Sequence, residues 1–397
     1  MMSGASGAIG RSDLIVVGGA GAQGLALVRY VHQVRPDLAI RVLDRHVPPA
    51  AQRDLNHLGV EAEHIDVLSA GDRLPLALQG AQLVVNMAGP FFRLGTVILR
   101  AAIQSRVAYI DICDDADATE ALLDQDAAAK AAGVSALVGM GAAPGVTNIL
   151  VRLGHDALIA RTGQPGLALR ASIDWTAPAS DMTAGIFEHF VHGLRTALPG
   201  QRRVPSWTEL EPKQVPFPDP LGDVQTIRIG HPEPLTLSRT LGCSCDMRGG
   251  ITPDAVLYRA WEAARVADSR DFTQGDVADA WRSLQGFIDG LGQQVSAVSG
   301  MRVDVWLGNQ GIRFESATTI SMEQSTAVPA AAASLLMLEG RMLKPGVWPP
   351  ECLDPLDFFT AAGRVSPGGG GLTASWLSSA DPPQRMRLRD ILKPPAG

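Results

Sequence analysis

The segment Gly18–Gly24, GGAGAQG, constrains this chain most. It directly follows a β-branched apolar run, LIVVGG (Leu14–Gly19), and opens an amphipathic stretch, Gln23–Val34. Strand, glycine loop and helix in that order match G-x-G-x-x-G with Gly19, Gly21 and Gly24 as the three glycines. Gly19 permits the tight turn, Gly21 lets backbone approach a pyrophosphate, and Gly24 lets the helix pack close to the strand. Backbone N–H groups around Ala22 and Gln23 then meet the phosphates at the positive end of the helix dipole. An acid, Asp44, falls twenty positions after Gly24 at the end of the next strand-like run. A carboxylate there accepts ribose hydroxyls and repels a 2′-phosphate, which favours NAD over NADP, whereas the neighbouring Arg45 guanidinium suits adenine or that phosphate. The structural alternative is a tight turn that holds no nucleotide.

The rhythm around the loop supports the nucleotide reading. Strand-like runs at Ala39–Asp44, Val60–Val67, Gln82–Gly89, Val107–Ile112 and Val134–Met140 alternate with helix-like runs at Pro49–Leu58, Phe92–Ser105 and Asp117–Ala132. This pattern predicts a doubly wound parallel sheet of the Rossmann type, an α/β fold with helices on both faces. A dinucleotide crosses such a sheet between its first and fourth strands, so Asn86, Ala88, Gly89 and Pro90 are expected to form a second cofactor wall. Asp66, at the end of the third strand, is a candidate adenine contact and equally a turn or cap.

Beyond Gly145 the pattern changes. Strand-like pieces at Leu169–Trp175, Gln225–Ile229, Met301–Leu307 and Ile312–Met322 are interrupted by helical stretches at Thr183–Leu194 and Pro253–Gly290. This predicts an α+β domain with a mixed or antiparallel sheet. The expected division is 12–145 for the nucleotide domain and 146–326 for a substrate and dimerisation domain. A helical region, 327–362, is expected to pack back on the first domain, and 363–397 to be a flexible tail, given the SPGGGG at Ser366–Gly371.

Bulk properties exclude several classes. A net charge of −7 offers nothing to nucleic acid or anionic lipid. The opening MMSGASGAIG lacks the basic and apolar regions of a signal peptide, and the longest apolar run, Ala327–Leu338, is too short to span a bilayer. Four cysteines in 397 residues make no disulfide framework, and Cys243-x-Cys245 lacks the partner ligands of a zinc site, so no metal is expected. The expectation is a cytoplasmic protein acting on a small molecule.

Three groups could carry chemistry. Asp111 and Asp114 lie where the fifth strand ends, beside the expected nicotinamide position, with Asp115 and Asp117 behind them. Clustered like charges raise the pKa of at least one member, and Asp115 and Asp117 also suit a helix cap. In the second domain Trp175, Asp181 and Thr183 precede a helix carrying His189 and His192, three apart and so on one face. One imidazole facing the cleft would shuttle protons; the bland alternative is a pair of partly exposed helix histidines. His231 and Glu233 sit in GHPEP, where flanking prolines stiffen a loop, and Arg239 downstream could grip a carboxylate or simply be a surface side chain. Asp114, Asp181, His189 and His231 are the acid–base candidates; Trp175, Thr183, Glu233 and Arg239 are the substrate contacts.

GGAGAQG, VNMAGPF (Val85–Phe91), AYIDICDD (Ala108–Asp115), GMGAAPGVTN (Gly139–Asn148) and GHPEPLTLSR (Gly230–Arg239) together resemble the saccharopine dehydrogenase/reductase-like family. The resemblance runs in order from about Asp13 to Phe359. It implies a Rossmann domain followed by an α+β domain that supplies the substrate site and often a homodimer contact. It also implies NAD(P)-dependent hydride transfer at a carbon bonded to an amine nitrogen, as in saccharopine reductases, carboxynorspermidine-type synthases and lysine 6-dehydrogenase-like enzymes. The expected reaction is imine reduction joining an amine or amino acid to a carbonyl compound, or its reverse. The alternatives are a primary-amine or lysine-type dehydrogenase and, from another class, a non-catalytic NAD(P)-binding sensor or scaffold.

Overall fold

The computed structural model describes residues 12–195, 211–268, 274–292, 297–341, 343–366, 368, 371–378 and 382–391. The opening MMSGASGAIG and the last six residues of the expected tail lie outside them.

Six short strands come first: β1 (Leu14–Val17), β2 (Ile40–Asp44), β3 (Glu61–His64), β4 (Leu83–Asn86), β5 (Ala108–Asp111) and β6 (Ser135–Leu137). They pair in parallel in the order 6-5-4-1-2-3. Every residue of β1, β4 and β5 is buried, because helices cover both faces of the sheet. The order reverses between β1 and β4, and that reversal opens the crevice at their carboxyl ends. The helix expected over Asp117–Ala132 is two, Ala116–Leu123 and Asp126–Ala132.

The second sheet starts with β7 (Leu169–Pro178), β8 (Lys213–Pro216), β9 (Asp223–Arg228), β10 (Ser244–Thr252), β11 (Ser299–Leu307) and β12 (Gln310–Thr318). Three strands close the chain: β13 (Gly346–Trp348), β14 (Thr373–Ser378) and β15 (Gln384–Met386). The second sheet is eight-stranded and mixed, in the order β15-β14-β12-β11-β7-β10-β9-β8, with β7 and β10 parallel. β11 alternates, burying Val303, Val305 and Leu307 against the helix Val146–Thr162. That helix approaches so closely that a Cβ on Gly154 would lie 2.9 Å from Val305 and Ile312 side chains.

Two C-terminal outcomes were not foreseen. β13 adds to β6 as a seventh parallel strand of the first sheet. β14 pairs with β12 inside the stretch expected to be a flexible tail, because Ala374 and Leu377 bury on the second sheet beyond the glycine run. The helix Met322–Leu338 buries Ala327 and Ala330–Ala333 against the first domain's core, beside the helix Ala22–Val34. The Cys-x-Cys pair flanks the start of β10, where Cys243 is buried in the second core and Cys245 packs beside it. Burial pushes the Cys243 thiol up to about 12, as befits a packed apolar side chain.

A third apolar cluster sets the orientation of the histidine helix, Ala184–Arg195. Phe187, Phe190, Val191 and Leu194 face Ile227, Ile229 and Ile251 of the second domain. His189 and His192 therefore turn the other way, towards the end of β5.

Candidate active site

The glycine loop is built for close approach on every side but one. Gly18 has φ +78° and a Cβ there would lie 2.7 Å from the Ala88 nitrogen. A Cβ on Gly19 would meet Val42 at 2.7 Å, and one on Gly24 would meet the Gly18 carbonyl at 2.2 Å. Sequence reasoning missed Gly18; the doubled glycine was the only signal. Gly21 differs, because its added Cβ would meet only the Gly18 oxygen, at 3.4 Å, and the residue is exposed. Protein packing does not explain that glycine; a ligand lying on the N-terminus of helix Ala22–Val34 does. Asp44 accepts the Ala20 N–H at 3.0 Å and the His46 N–H at 3.1 Å, tying the loop to β2. Each carboxylate oxygen keeps a lone pair for a ribose hydroxyl, and Arg45 stands exposed beside it. Gly89 is exposed, with only the Phe91 ring near its Cβ direction, at 4.0 Å, and Pro90 stands at the N-cap position of the next helix. The cleft thus fits a dinucleotide.

Three expected cofactor residues have other partners. Asn86 is fully buried, donates to the Tyr109 hydroxyl at 3.1 Å and accepts the Ala88 N–H at 2.9 Å, so it shapes the wall from behind. Asp111 is also fully buried, accepting from Gly139 N at 2.7 Å, Cys113 N at 3.0 Å and the Tyr109 hydroxyl at 2.9 Å. Burial pushes its pKa up to about 6 despite these donors. Asp66 closes an exposed turn by accepting the Leu68 N–H at 3.1 Å.

The two domains meet at the Asp114–Asp117 turn after β5. His189 lies with Nε2 3.1 Å from Asp114 Oδ2 and Nδ1 2.8 Å from Asp115 Oδ1. Asp115, 1% exposed, also accepts the Phe92 N–H at 3.2 Å and so joins the Gly89-Pro90 loop to the histidine. His192 reaches Asp117 at 3.0 Å and stacks on Phe92 with ring centroids 4.0 Å apart. Burial works against a charged His189, but Asp114 and Asp115 outweigh it and hold the imidazole at about 9. Burial raises Asp114 as well, with Asp115 adding to that and His189 opposing it. The turn residues, with Asp115 at the N-cap of the next helix, thus carry the junction.

His231 completes the group. It is 3% exposed and sits 3.0 Å from Glu233, itself wholly buried. Its ring centroid lies 6.1 Å from that of His189 and 6.0 Å from that of Trp175. Glu233 does not ride a stiff loop as expected. The prolines around it start a helix, Glu233–Leu241, because proline suits a first helical turn. Its second oxygen accepts from the Thr147 hydroxyl at 2.9 Å, and Asn148 beside Thr147 donates to the buried Glu351 at 2.9 Å. Thr147, Asn148 and Glu351 went unmarked as site residues, although Thr147 and Asn148 lie in the APGVTN motif. Above the histidines is a largely apolar cavity of ≈ 50 Å³ whose lining includes Trp175, Met182, Phe190 and Ile229.

The remaining candidates stand apart from this group. Asp181 accepts the Met322 N–H at 2.8 Å and so anchors the start of helix Met322–Leu338. Thr183 is exposed and accepts from the Ile186 N–H at 3.3 Å, capping the histidine helix. Arg239 pairs with Glu120 at 2.6 Å between two exposed side chains, because the helix from Glu233 turns it outward.

Residues 14–137 match the family model for the saccharopine dehydrogenase NADP binding domain. Those residues form a domain of the saccharopine dehydrogenase NADP-binding type. Beyond that domain, the saccharopine dehydrogenase-like fold extends over nearly the whole length. The apo saccharopine dehydrogenase (L-Glu forming) of Saccharomyces cerevisiae superposes with a TM-score of 0.58 at 11% identity, covering 92% of this chain and 100% of that one. The homospermidine synthase of Legionella pneumophila, in complex with NAD, gives 0.62 at 10% identity, covering 91% of each. Among the described residues no helix is long and apolar enough to cross a membrane.

Proposed function

We propose that this saccharopine dehydrogenase-like chain is an NAD(P)-dependent oxidoreductase that moves hydride at a C–N bond. It would reduce the imine formed between an amine or amino acid and a carbonyl compound, or run the reverse. One observation carries the reading: His189 and His231, from the second domain, converge on Asp114 beyond the carboxyl end of β5, where His189 also bonds Asp115. That end of a doubly wound sheet is where a reactive ring is presented.

A bound nicotinamide supplies or accepts the hydride. The chain's own residues do the rest. Imine reduction needs a proton at nitrogen, and His189 holds one between two carboxylates that compensate a cationic iminium. Glu233 fixes the tautomer and orientation of His231 as a second proton-handling group. Trp175, Met182 and Phe190 keep water from the reacting carbon. A homodimer formed through the second domain completes the proposal, since that sheet ends in the short strands β8 and β15 that want covering. The test is a screen of amine–carbonyl pairs followed by loss of reduced nicotinamide absorbance. Turnover of an alcohol or a C=C substrate with no response to any amine pair would replace the C–N assignment.

A further inference from the structure

We propose that Asp114, His189 and His231 form a three-ligand site for a divalent transition-metal ion of the zinc class. The carboxylate oxygen of Asp114 and one nitrogen of each histidine lie within 4.8 Å of one another. The shortest separation, His189 Nε2 to Asp114 Oδ2, is 3.1 Å. Two donors bound to one ion at about 2.0–2.1 Å and at angles near 90–110° stand roughly 2.8–3.4 Å apart, so this edge is already formed. The third ligand atom, on His231, lies within 4.8 Å of the other two, so closing the remaining edges takes less than about 2 Å of side-chain movement.

The surroundings point the same way. A metal-bound histidine keeps its tautomer by giving its other ring N–H to a carboxylate or carbonyl. Both histidines here have such a backing group: Asp115 at 2.8 Å from His189 Nδ1 and Glu233 at 3.0 Å from His231 Nδ1. Both backing carboxylates are almost wholly buried, at 1% and 0% exposure. The ion pairs of Asp114, Asp115 and Glu233 among the described residues are with these two imidazoles. A metal binds an imidazole in its neutral form, and with both histidines ligated the three carboxylates leave negative charge that a dication offsets. Two imidazoles with one carboxylate select a borderline ion over magnesium or calcium, which prefer all-oxygen shells. Three protein ligands leave one position open, and an apolar cavity lined by His189 and His231 adjoins the cluster. The ion and a proton exclude each other at His189 Nε2. Metal-bound protein would therefore offer a ligated water or substrate atom where metal-free protein offers an imidazolium N–H.

The site does not depend on the C–N reading, because it is tested without substrate or nicotinamide. Protein stripped by chelator and titrated calorimetrically with Zn(II) should bind one equivalent per chain. His189→Ala and His231→Ala should each weaken binding at least about 100-fold, and Asp115→Asn and Glu233→Gln about 10–100-fold. Cys243→Ser should bind as the parent does. Cobalt(II) substitution of the unaltered protein keeps the question decidable should a histidine variant fail to fold. Visible d–d bands without a thiolate charge-transfer band support the site. Absence of saturable binding, a thiolate band, or undiminished affinity in the folded histidine variants would overturn it.

Discussion

His189 and Asp115, 74 residues apart in sequence, are joined at 2.8 Å across the junction of the two domains. The same carboxylate holds the Phe92 N–H, so one buried side chain fixes the wall of the nucleotide cleft and the histidine opposite it.

That relationship predicts which residues matter for turnover. With an active amine–carbonyl pair, His189→Gln, His231→Gln and Asp115→Asn should each lower kcat by about a hundredfold or more, and the two histidine variants should leave nicotinamide affinity nearly unchanged. Asp181→Ala should act differently. It removes the acceptor for Met322 N and should cost about 1 kcal/mol of stability with less than a tenfold change in kcat. A hundredfold loss in Asp181→Ala, with the other three near normal, would move the chemistry to the far side of the cavity.

The glycine loop separates packing from ligand contact. Gly24→Ala sets a Cβ against the Gly18 carbonyl and should lower the melting temperature and abolish cofactor binding together. Gly21→Ala sets its Cβ in ordinary contact with the Gly18 oxygen at 3.4 Å and should fold normally while binding NAD(P)H at least about tenfold more weakly. Thermal melts and fluorescence titrations read the two effects separately.

Asp44 serves both loop and ligand. Asp44→Ala should weaken NADH more than NADPH, because it removes an acceptor from the ribose and a charge that repels a 2′-phosphate. Loss of the Ala20 hydrogen bond should weaken both cofactors somewhat. The ratio of the two dissociation constants is the decisive quantity.

Asp111 gives a pH dependence with a definite sign. Its folded pKa, about 6, stands above the ordinary 3.8, so the folded chain binds the proton more tightly than the unfolded chain. Stability from this group is fully present below pH 3.8 and is lost as pH rises through about 6. The loss is on the order of a few kcal/mol. Asp111→Asn keeps an acceptor for Cys113 and Gly139 and should flatten this part of the profile in urea melts taken from pH 4 to 7. An identical profile in the variant would assign the dependence to another group.

Assembly can be read directly. Sedimentation velocity at micromolar protein should give twice the 41.9 kDa chain mass. A species at the chain mass would remove the dimer from the proposal.

The sequence by itself determined what depends on neighbours along the chain. Apolar runs of four to five residues between amphipathic stretches dictate buried parallel strands, and three spaced glycines ahead of a helix dictate a phosphate-binding turn. Helical spacing likewise put His189 and His192 on one face. Only the tertiary structure decided where polar side chains find partners, because a buried carboxylate pairs with whatever donor folding brings within 3 Å. Asp115 suited the charge cluster and a helix cap alike, and it stands at the N-cap while bonding His189, whereas Asp181 looked catalytic and holds the Met322 N–H. Arg239, expected at a substrate, ends on Glu120 because its helix starts at Glu233 and not beyond it. β13 and β14 were hidden for the same reason. Three residues beside a glycine-bounded turn, or six after a glycine run, carry no period of their own, and the open edges of two existing sheets make them strands.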